Sequence, residues 1–357
     1  METIKLTIIK AIQPIGNVYV SKIAPNALLK MSTVDRRRIA DNDEVLGIQR
    51  ELRPDKVNQI KSYLSTVDAT FPNSIIVNTT SEYIVSENET TLELKIDEST
   101  FTIIDGQHRV EGFRDNEKPN FELIVAIFKD LKTEQQAEIF STINSQQTKV
   151  DPSHNLNLEL DSKVYTPIKM MIEIAQSFNF DKESPWFNNI RLLGSGEKGI
   201  ISLSAFVKPL LDITYPDKDY YRIKNDLTKN PKEFPNFKDY DYKPERYMFW
   251  EFYKSKDHKS IFKILYNYFS ALQIILDKDW LNYESLLNKT TGYNAQIKLF
   301  RDLFLEGVED GDLSYDFFFK KLSGLKSMNG TINSSNYGAS GQKATNDLYM
   351  EMKKNIR

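Results

Sequence analysis

The stretch FTIIDGQHRVEGF, Phe101 to Phe113, changes character in its middle. Ile103 and Ile104 close an apolar run that reads as a buried strand, and an amphipathic pattern begins a few residues later. Between them stand an acid, a glycine, an amide, an imidazole and a guanidinium. Gly106 suits a sharp turn and a close backbone approach. Gln107, His108 and Arg109 then fall in the first turn of a helix, where unpaired N–H groups and the helix dipole favour an anion. Arg109 is suited to gripping a phosphate with two N–H groups, and Asp105 to holding a metal, a water or a ribose hydroxyl. The plainer alternative is that Asp105 caps the helix while His108 and Arg109 are solvated.

Outward from this turn, the first part of the chain mixes strand and helix patterns. TIKLTII, NVYVSKI, NSIIVNTT, EYIVSE, TLELKI and FELIVAIF read as strands, and NALLKMS as a short helix. In RPDKVNQIKSYL, Pro54 and Asp55 suit a first helical turn, and Val57, Ile60 and Leu64 share one face. TEQQAEIFSTINSQ reads as a helix with Thr133 as N-cap. Beyond about Asp151 the pattern becomes helical. The segment from Tyr215 to Lys256 is rich in Tyr, Lys, Asp and Pro with little periodicity, and reads as a surface excursion. The expected organisation is α+β: an α/β domain over 1–160, then a helical domain over 161–357 with an insertion around 215–256.

Two further polar knots flank the turn in sequence. VLGIQREL sets Gln49 and Arg50 after an apolar run, and EIFSTINSQQTKV sets Asn144, Ser145, Gln146 and Gln147 at a helix end. In this order, with IKSYL and NSIIVN between them, the motifs IQR, IIDGQHR and FSTINSQQTKV resemble the DGQHR-domain family. That family includes the DndB-like proteins associated with DNA phosphorothioation, and the resemblance covers about Gly16 to Leu160. More distantly the chain is similar to the ParB/sulfiredoxin superfamily and to DGQQR-bearing subunits of modification-dependent restriction systems. The resemblance implies an α/β core whose turn faces a nucleotide. His108 stands where the restriction relatives carry a second glutamine, which departs from the pattern of a hydrolase.

Composition narrows the classes. Of 357 residues 40% are hydrophobic, enough for a sizeable core, and a chain this long usually divides into more than one domain. With no cysteine there is no disulfide framework, thiol nucleophile or thiolate metal site. The three histidines, His108, His154 and His258, are not at metal-ligand spacing. The formal net charge of -3 argues against a uniformly basic surface but leaves room for a local basic groove. No run is apolar enough to span a bilayer, and METIKLTIIKAIQPIG lacks the features of a signal peptide, so a cytoplasmic address is expected.

Three weaker signals and one compositional bias lie elsewhere in the chain. GSGEKG at Gly194 to Gly199 matches G-x-G-x-x-G but follows a poor strand, so a loop is the better reading. YGASGQKATNDLY, with Lys343, reads as a linker into a last helix. Arg36, Arg37 and Arg38 are the candidates for contact with a nucleic-acid backbone. The Tyr/Lys-rich excursion is of the composition that stacks bases, although its acids nearly match its bases.

The expected function is a DNA-linked regulator, or a component of a DNA-modification or phage-defence system, that binds a nucleoside triphosphate with Mg²⁺ and leans towards hydrolysing it. Arg109, Arg50, Gln49, Gln107, Gly106 and Asn144 would line the nucleotide. Asp105 would orient Mg²⁺ or water, and His108 would carry a proton. Protein partners of such a system and self-association stay open. Two alternatives accompany this reading: a DNA-binding transcriptional regulator in which the trio is a structural network, and a ParB-like nuclease.

Overall fold

The computed structural model describes residues 2–34, 38–39, 45–46, 51–116, 118, 120–146, 151–193, 198–229, 240–338 and 340–356; at 38, 39, 45, 46, 145 and 146 only the backbone is described. The chain divides into two compact units, 1–149 and 150–357.

Unit 1 runs β1 (Thr3–Thr7), β2 (Ile9–Gln13), β3 (Gly16–Ile23), α1 (Pro25–Lys30), β4 (Ser32–Thr33), β5 (Arg38–Ile39), β6 (Val45–Leu46) and α2 (Pro54–Leu64). It continues with β7 (Ile75–Thr79), β8 (Ile84–Glu87), β9 (Thr91–Lys95), β10 (Phe101–Asp105), α3 (Gln107–Glu111), β11 (Leu123–Lys129) and α4 (Thr133–Gln146). A six-stranded mixed sheet has the order β2-β3-β11-β7-β10-β4, and β1-β9-β8 form a separate antiparallel sheet. In the larger sheet β11 runs parallel to β7 and β10 parallel to β4.

The alternation of side chains along these strands divides the core in two. Phe101 and Ile103 of β10 join Ile75, Val77, Val125 and Ile127 in the larger cluster. Ile104 instead joins Val18, Phe128 and Leu131 in a smaller one, against Ile139 and Phe140 of α4. Ile103 and Ile104 face opposite sides as neighbours in a strand do, and β10 carries an irregularity against β7 just there: Ile103 pairs with Val77, Asp105 with Ile76, and Ile104 is the extra residue.

The helix α2 starts on Pro54 at its first position, where a missing N–H costs nothing. Thr133 differs from expectation: it is the first residue of α4, and the Gln135 side chain reaches back to the Lys132 N–H. That satisfies a free donor in the way Gln at the third position of a capping box does.

Unit 2 is mainly helical, with α5 (Pro152–Asn157), α6 (Pro167–Phe180), α7 (Leu203–Asp212), α8 (Tyr220–Lys229), α9 (Trp250–Lys254), α10 (His258–Ile275) and α11 (Thr290–Asp310). Three more follow: α12 (Tyr315–Leu322), α13 (Ser334–Tyr337) and α14 (Gln342–Asn355). Thr166, Ser202, Asp257 and Ser314 each cap a helix by accepting a backbone N–H. Packed aromatic rings centre the core: Trp186 lies 5.5 Å from Phe206, 5.7 Å from Phe269 and 5.3 Å from Trp280.

The segment 215–256 departs from the surface excursion expected of it. Tyr215, Ile223, Leu227, Tyr240, Met248, Phe249, Trp250 and Tyr253 are all buried in the core of unit 2. Prolines and charged residues around its short helices hide the burial, and several of its tyrosines bury their rings while their hydroxyls reach acids. Tyr240 donates to Asp226 and Tyr242 to Asp219, each at 2.6 Å. Among the described residues, no helix is long and apolar enough to cross a membrane.

Candidate functional site

The turn that ends β10 is a clasp. Gly106 has φ +101°, a left-handed conformation that side chains resist. A Cβ at this position would stand 2.6 Å from Ile75 Cδ1 and 3.1 Å from Arg109 Nη2. The glycine therefore makes room for an arginine of its own motif. Arg109 Nη2 donates to Asp105 Oδ2 at 2.7 Å, and Nη1 donates to the Asn73 carbonyl at 2.7 Å. The two side chains are only 19% and 26% exposed, so the ion pair is partly shielded from water. Asp, Gly and Arg at positions 105, 106 and 109 thus close on each other and tie the strand end to the segment before β7.

The helix that follows is short. α3 has five residues, so its first and last turns overlap and its dipole is small. The dipole argument for an anion therefore weakens. Gln107 and Val110 are buried, and Phe113 packs on Phe121 with ring centroids 5.0 Å apart. Gly112 is required by packing: a Cβ there would meet Ile60 Cγ2 at 2.3 Å, so α3 presses directly on α2.

His108 faces α2. Its Nε2 accepts the backbone N–H of Arg53, the N-cap residue of α2, at 3.1 Å. An imidazole that accepts at Nε2 is neutral there and carries its proton on Nδ1. Burial first, and then the positive charges of Arg53 and Lys56, hold its pKa below the ordinary histidine value; Asp55 and Asp105 pull weakly the other way. In this state the remaining ring nitrogen is a donor. To take up a proton His108 must give up its bond to Arg53.

The other expected residues fall as follows. Asn144 is exposed on α4 and donates to the Phe140 carbonyl of its own helix at 2.8 Å, so it does not brace the turn in this structure. α4 does pack beside β10, through Ile139 and Phe140 against Ile104. Gln49, Arg50, Arg36 and Arg37 lie outside the described residues, as does most of the GSGEKG loop; of Arg38 only its backbone, in β5, is described. His154 is exposed in α5, just after its N-cap Asp151. Lys343 is exposed in the first turn of α14. Among the described residues, no group of three or more His, Asp or Glu is arranged to hold a metal ion. Mg²⁺ would therefore find one carboxylate at the turn, Asp105, whose Oδ2 is already paired.

Sequence reading did not single out Arg53, Asn73, Ile75 or Ile60 as parts of this turn. Of these only Arg53 carried a signal, since the residue before a helix-starting proline is a natural N-cap position.

A family model described as DndB, DNA-sulfur modification-associated, matches residues 6–186, just over half of the chain. No curated protein matches the sequence. Among solved structures, the C-terminally truncated chromosome-partitioning protein ParB from Caulobacter crescentus, complexed with CTP-gamma-S, is similar at 12% identity. The match covers 59% of this chain and 86% of that one with a TM-score of 0.28, a likeness too low to argue from. Membership rests on the family match, which takes in the whole strand-turn-helix and its clasp: this chain belongs to the DndB family of DNA-sulfur modification-associated proteins.

Proposed function

We propose that this DndB-family protein binds a nucleoside triphosphate at the Asp105–Arg109 turn and serves a DNA-modification system as a nucleotide-responsive regulator. The observation that carries this reading is an arginine only 19% exposed that uses two of its N–H groups on protein acceptors. A guanidinium has five, so three remain for phosphate oxygens. Asp105 Oδ1 and His108 Nδ1–H complete a small polar set of one acceptor and several donors. Mg²⁺ commonly binds through one carboxylate plus substrate phosphates, so it would arrive with the nucleotide and take Asp105 Oδ1. Gln49 and Arg50 belong to the same proposal, because His108 binds the backbone only three residues beyond Arg50.

The donor-rich turn favours binding over hydrolysis. A hydrolase needs a group that takes a proton from water, and the free nitrogen of His108 already carries one. A second reading is a DNA-binding regulator with no ligand at this turn. Its support is that Asp105, Arg109 and the Asn73 carbonyl already satisfy one another.

The test is a thermal melt with Mg²⁺ and each of the four common ribonucleoside triphosphates, for the wild type and for Arg109→Lys. A nucleotide at a hundredfold excess over Kd should add about 2.7 kcal/mol of stability. Arg109→Lys should keep the fold and lose most of that gain, because an ammonium has no spare fork. Absence of any shift in the wild type at millimolar concentration would leave the second reading in place.

A further inference from the structure

Unit 2 has a cavity of about 1160 Å³ that the turn in unit 1 does not explain. Its wall carries Lys208, Lys218, Lys243, Arg246, Lys298 and Arg301. Among the described residues none of these six cations forms an ion pair. Lys298 donates to the Asn346 side chain and Arg301 to the Glu245 carbonyl, both neutral acceptors. Four acids share the wall, and one of them, Asp219, is taken by the Tyr242 hydroxyl. Tyr242 and Tyr247 also line it, with ring centroids 5.2 Å apart, and the Arg246 guanidinium lies 5.3 Å above Tyr247. Unpaired cations interleaved with aromatic rings are what a sugar-phosphate backbone and its bases require.

A second recess of about 510 Å³ adjoins the first, sharing Lys208, Asp212, Tyr215 and Asp217 with it. Leu156, Ile168 and Leu211 give it apolar walls. Tyr215 is 3% exposed, so its ring is buried at the wall that the two recesses share. Its hydroxyl, which the charges of Asp217, Glu159 and Asp212 act upon, can both donate to and accept from the edge of a base. Asp212 and Asp217, at the junction, offer acceptors for the exocyclic amine of a base.

We propose that unit 2 binds a single strand of nucleic acid, its phosphates along the six cations and one unstacked base in the recess at Tyr215. Size favours a strand over a free nucleotide: the larger cavity alone exceeds the roughly 300–1,000 Å³ of small-molecule sites. The recess walled by Leu156, Ile168 and Leu211 favours a strand over a duplex, because a base can enter it only when free of its pair. This goes beyond the nucleotide reading of unit 1 and does not depend on it.

The experiment is fluorescence anisotropy of end-labelled single-stranded DNA of about 12 nucleotides, inside the ~4–16 nucleotide footprint of strand-binding folds. Homopolymers of each base and a duplex of equal length are measured beside it, across a salt series. The wild type should bind single strands at least tenfold tighter than the duplex. Lys208→Glu with Arg246→Glu, and separately Lys243→Glu, should weaken binding at least tenfold; these exposed positions let the variants fold, which a melt verifies. The double variant should also lower the salt slope by about 1.4, since each lost phosphate contact contributes about 0.7 for a single strand. Tyr215→Phe should narrow the preference among homopolymers. Equal binding of duplex, equal competition by a free triphosphate, or unchanged affinity in both charge variants would overturn the proposal.

Discussion

The Arg109 guanidinium occupies the space that a side chain at Gly106 would fill, with Nη2 3.1 Å from the position of a Cβ there. Gly106→Ala must therefore bear the strain of φ +101° and displace both Arg109 and Ile75. We expect a loss of about 2–6 kcal/mol, adding the cost of a non-glycine residue in such a conformation to that of overpacking. Urea unfolding measures it. A loss below about 1 kcal/mol would mean that the clasp re-forms elsewhere without cost.

Asp105 and Arg109 should be coupled more strongly than a surface pair. Exposed pairs give about 0–1 kcal/mol in double-mutant cycles, and partial shielding with a second bond to the Asn73 carbonyl should raise this to about 1–3 kcal/mol. The cycle uses Asp105→Asn, Arg109→Gln and the double variant, read by denaturant midpoints. Additive losses would show that the pair is held in place by its surroundings rather than holding them.

Stability should fall as the solution is acidified through the histidine range, and His108 should be a cause. Its folded pKa lies below the ordinary value, so the unfolded chain takes up a proton first. The contribution is complete above the unfolded pKa near 6.5 and is lost as pH drops towards the folded value, at no more than about 1.4 kcal/mol per pH unit. His108→Gln supplies an acceptor that does not titrate. The difference between wild type and variant in urea midpoint should change between pH 7.5 and pH 5.5, and a constant difference would remove His108 from the account. Glu87 and Asp130, whose pKa values are lowered by hydrogen bonds from Tyr19 and Ser81, act in a separate window, below the ordinary carboxylate range.

Phe249 tests whether residues 215–256 belong to the core. It is fully buried, with ring centroids 5.9 Å from Phe300 and 5.8 Å from Phe304. Phe249→Ala should cost about 3–5 kcal/mol, the penalty of removing a buried ring, where a surface change would stay within about 0.5 kcal/mol. Calorimetric melting distinguishes the two.

Legibility followed the length of the pattern. The strands β7 and β11 were visible, and so was the helical character beyond Asp151, because these patterns repeat several times. α9, with five residues, was not visible; α8 does carry a stripe, with Ile223 and Leu227 buried one turn apart, but the charged and tyrosine-rich residues around it hid it. The turn was legible as a place but less so as a mechanism. Its residues stood out by type, yet the pairing of Arg109 with Asp105 follows from Gly106 having no side chain, a three-dimensional fact. Asn144 shows the reverse: order along the chain suggested a role that the geometry gives instead to its own helix carbonyl.

One extra residue, Ile104, shapes the exit from the strand. Ile103 stands against Val77 and Asp105 against Ile76, so β10 spends two residues where β7 spends one. A bulge of this kind bends the strand and increases its local twist, and here it does so at the last step before Gly106. The strand end thus works as a knuckle, whose angle is set by a count of residues and whose footing is an apolar side chain beside Ile139 and Phe140. Deleting Ile104 should straighten the knuckle and empty that footing at once, although the residue removed is an ordinary isoleucine.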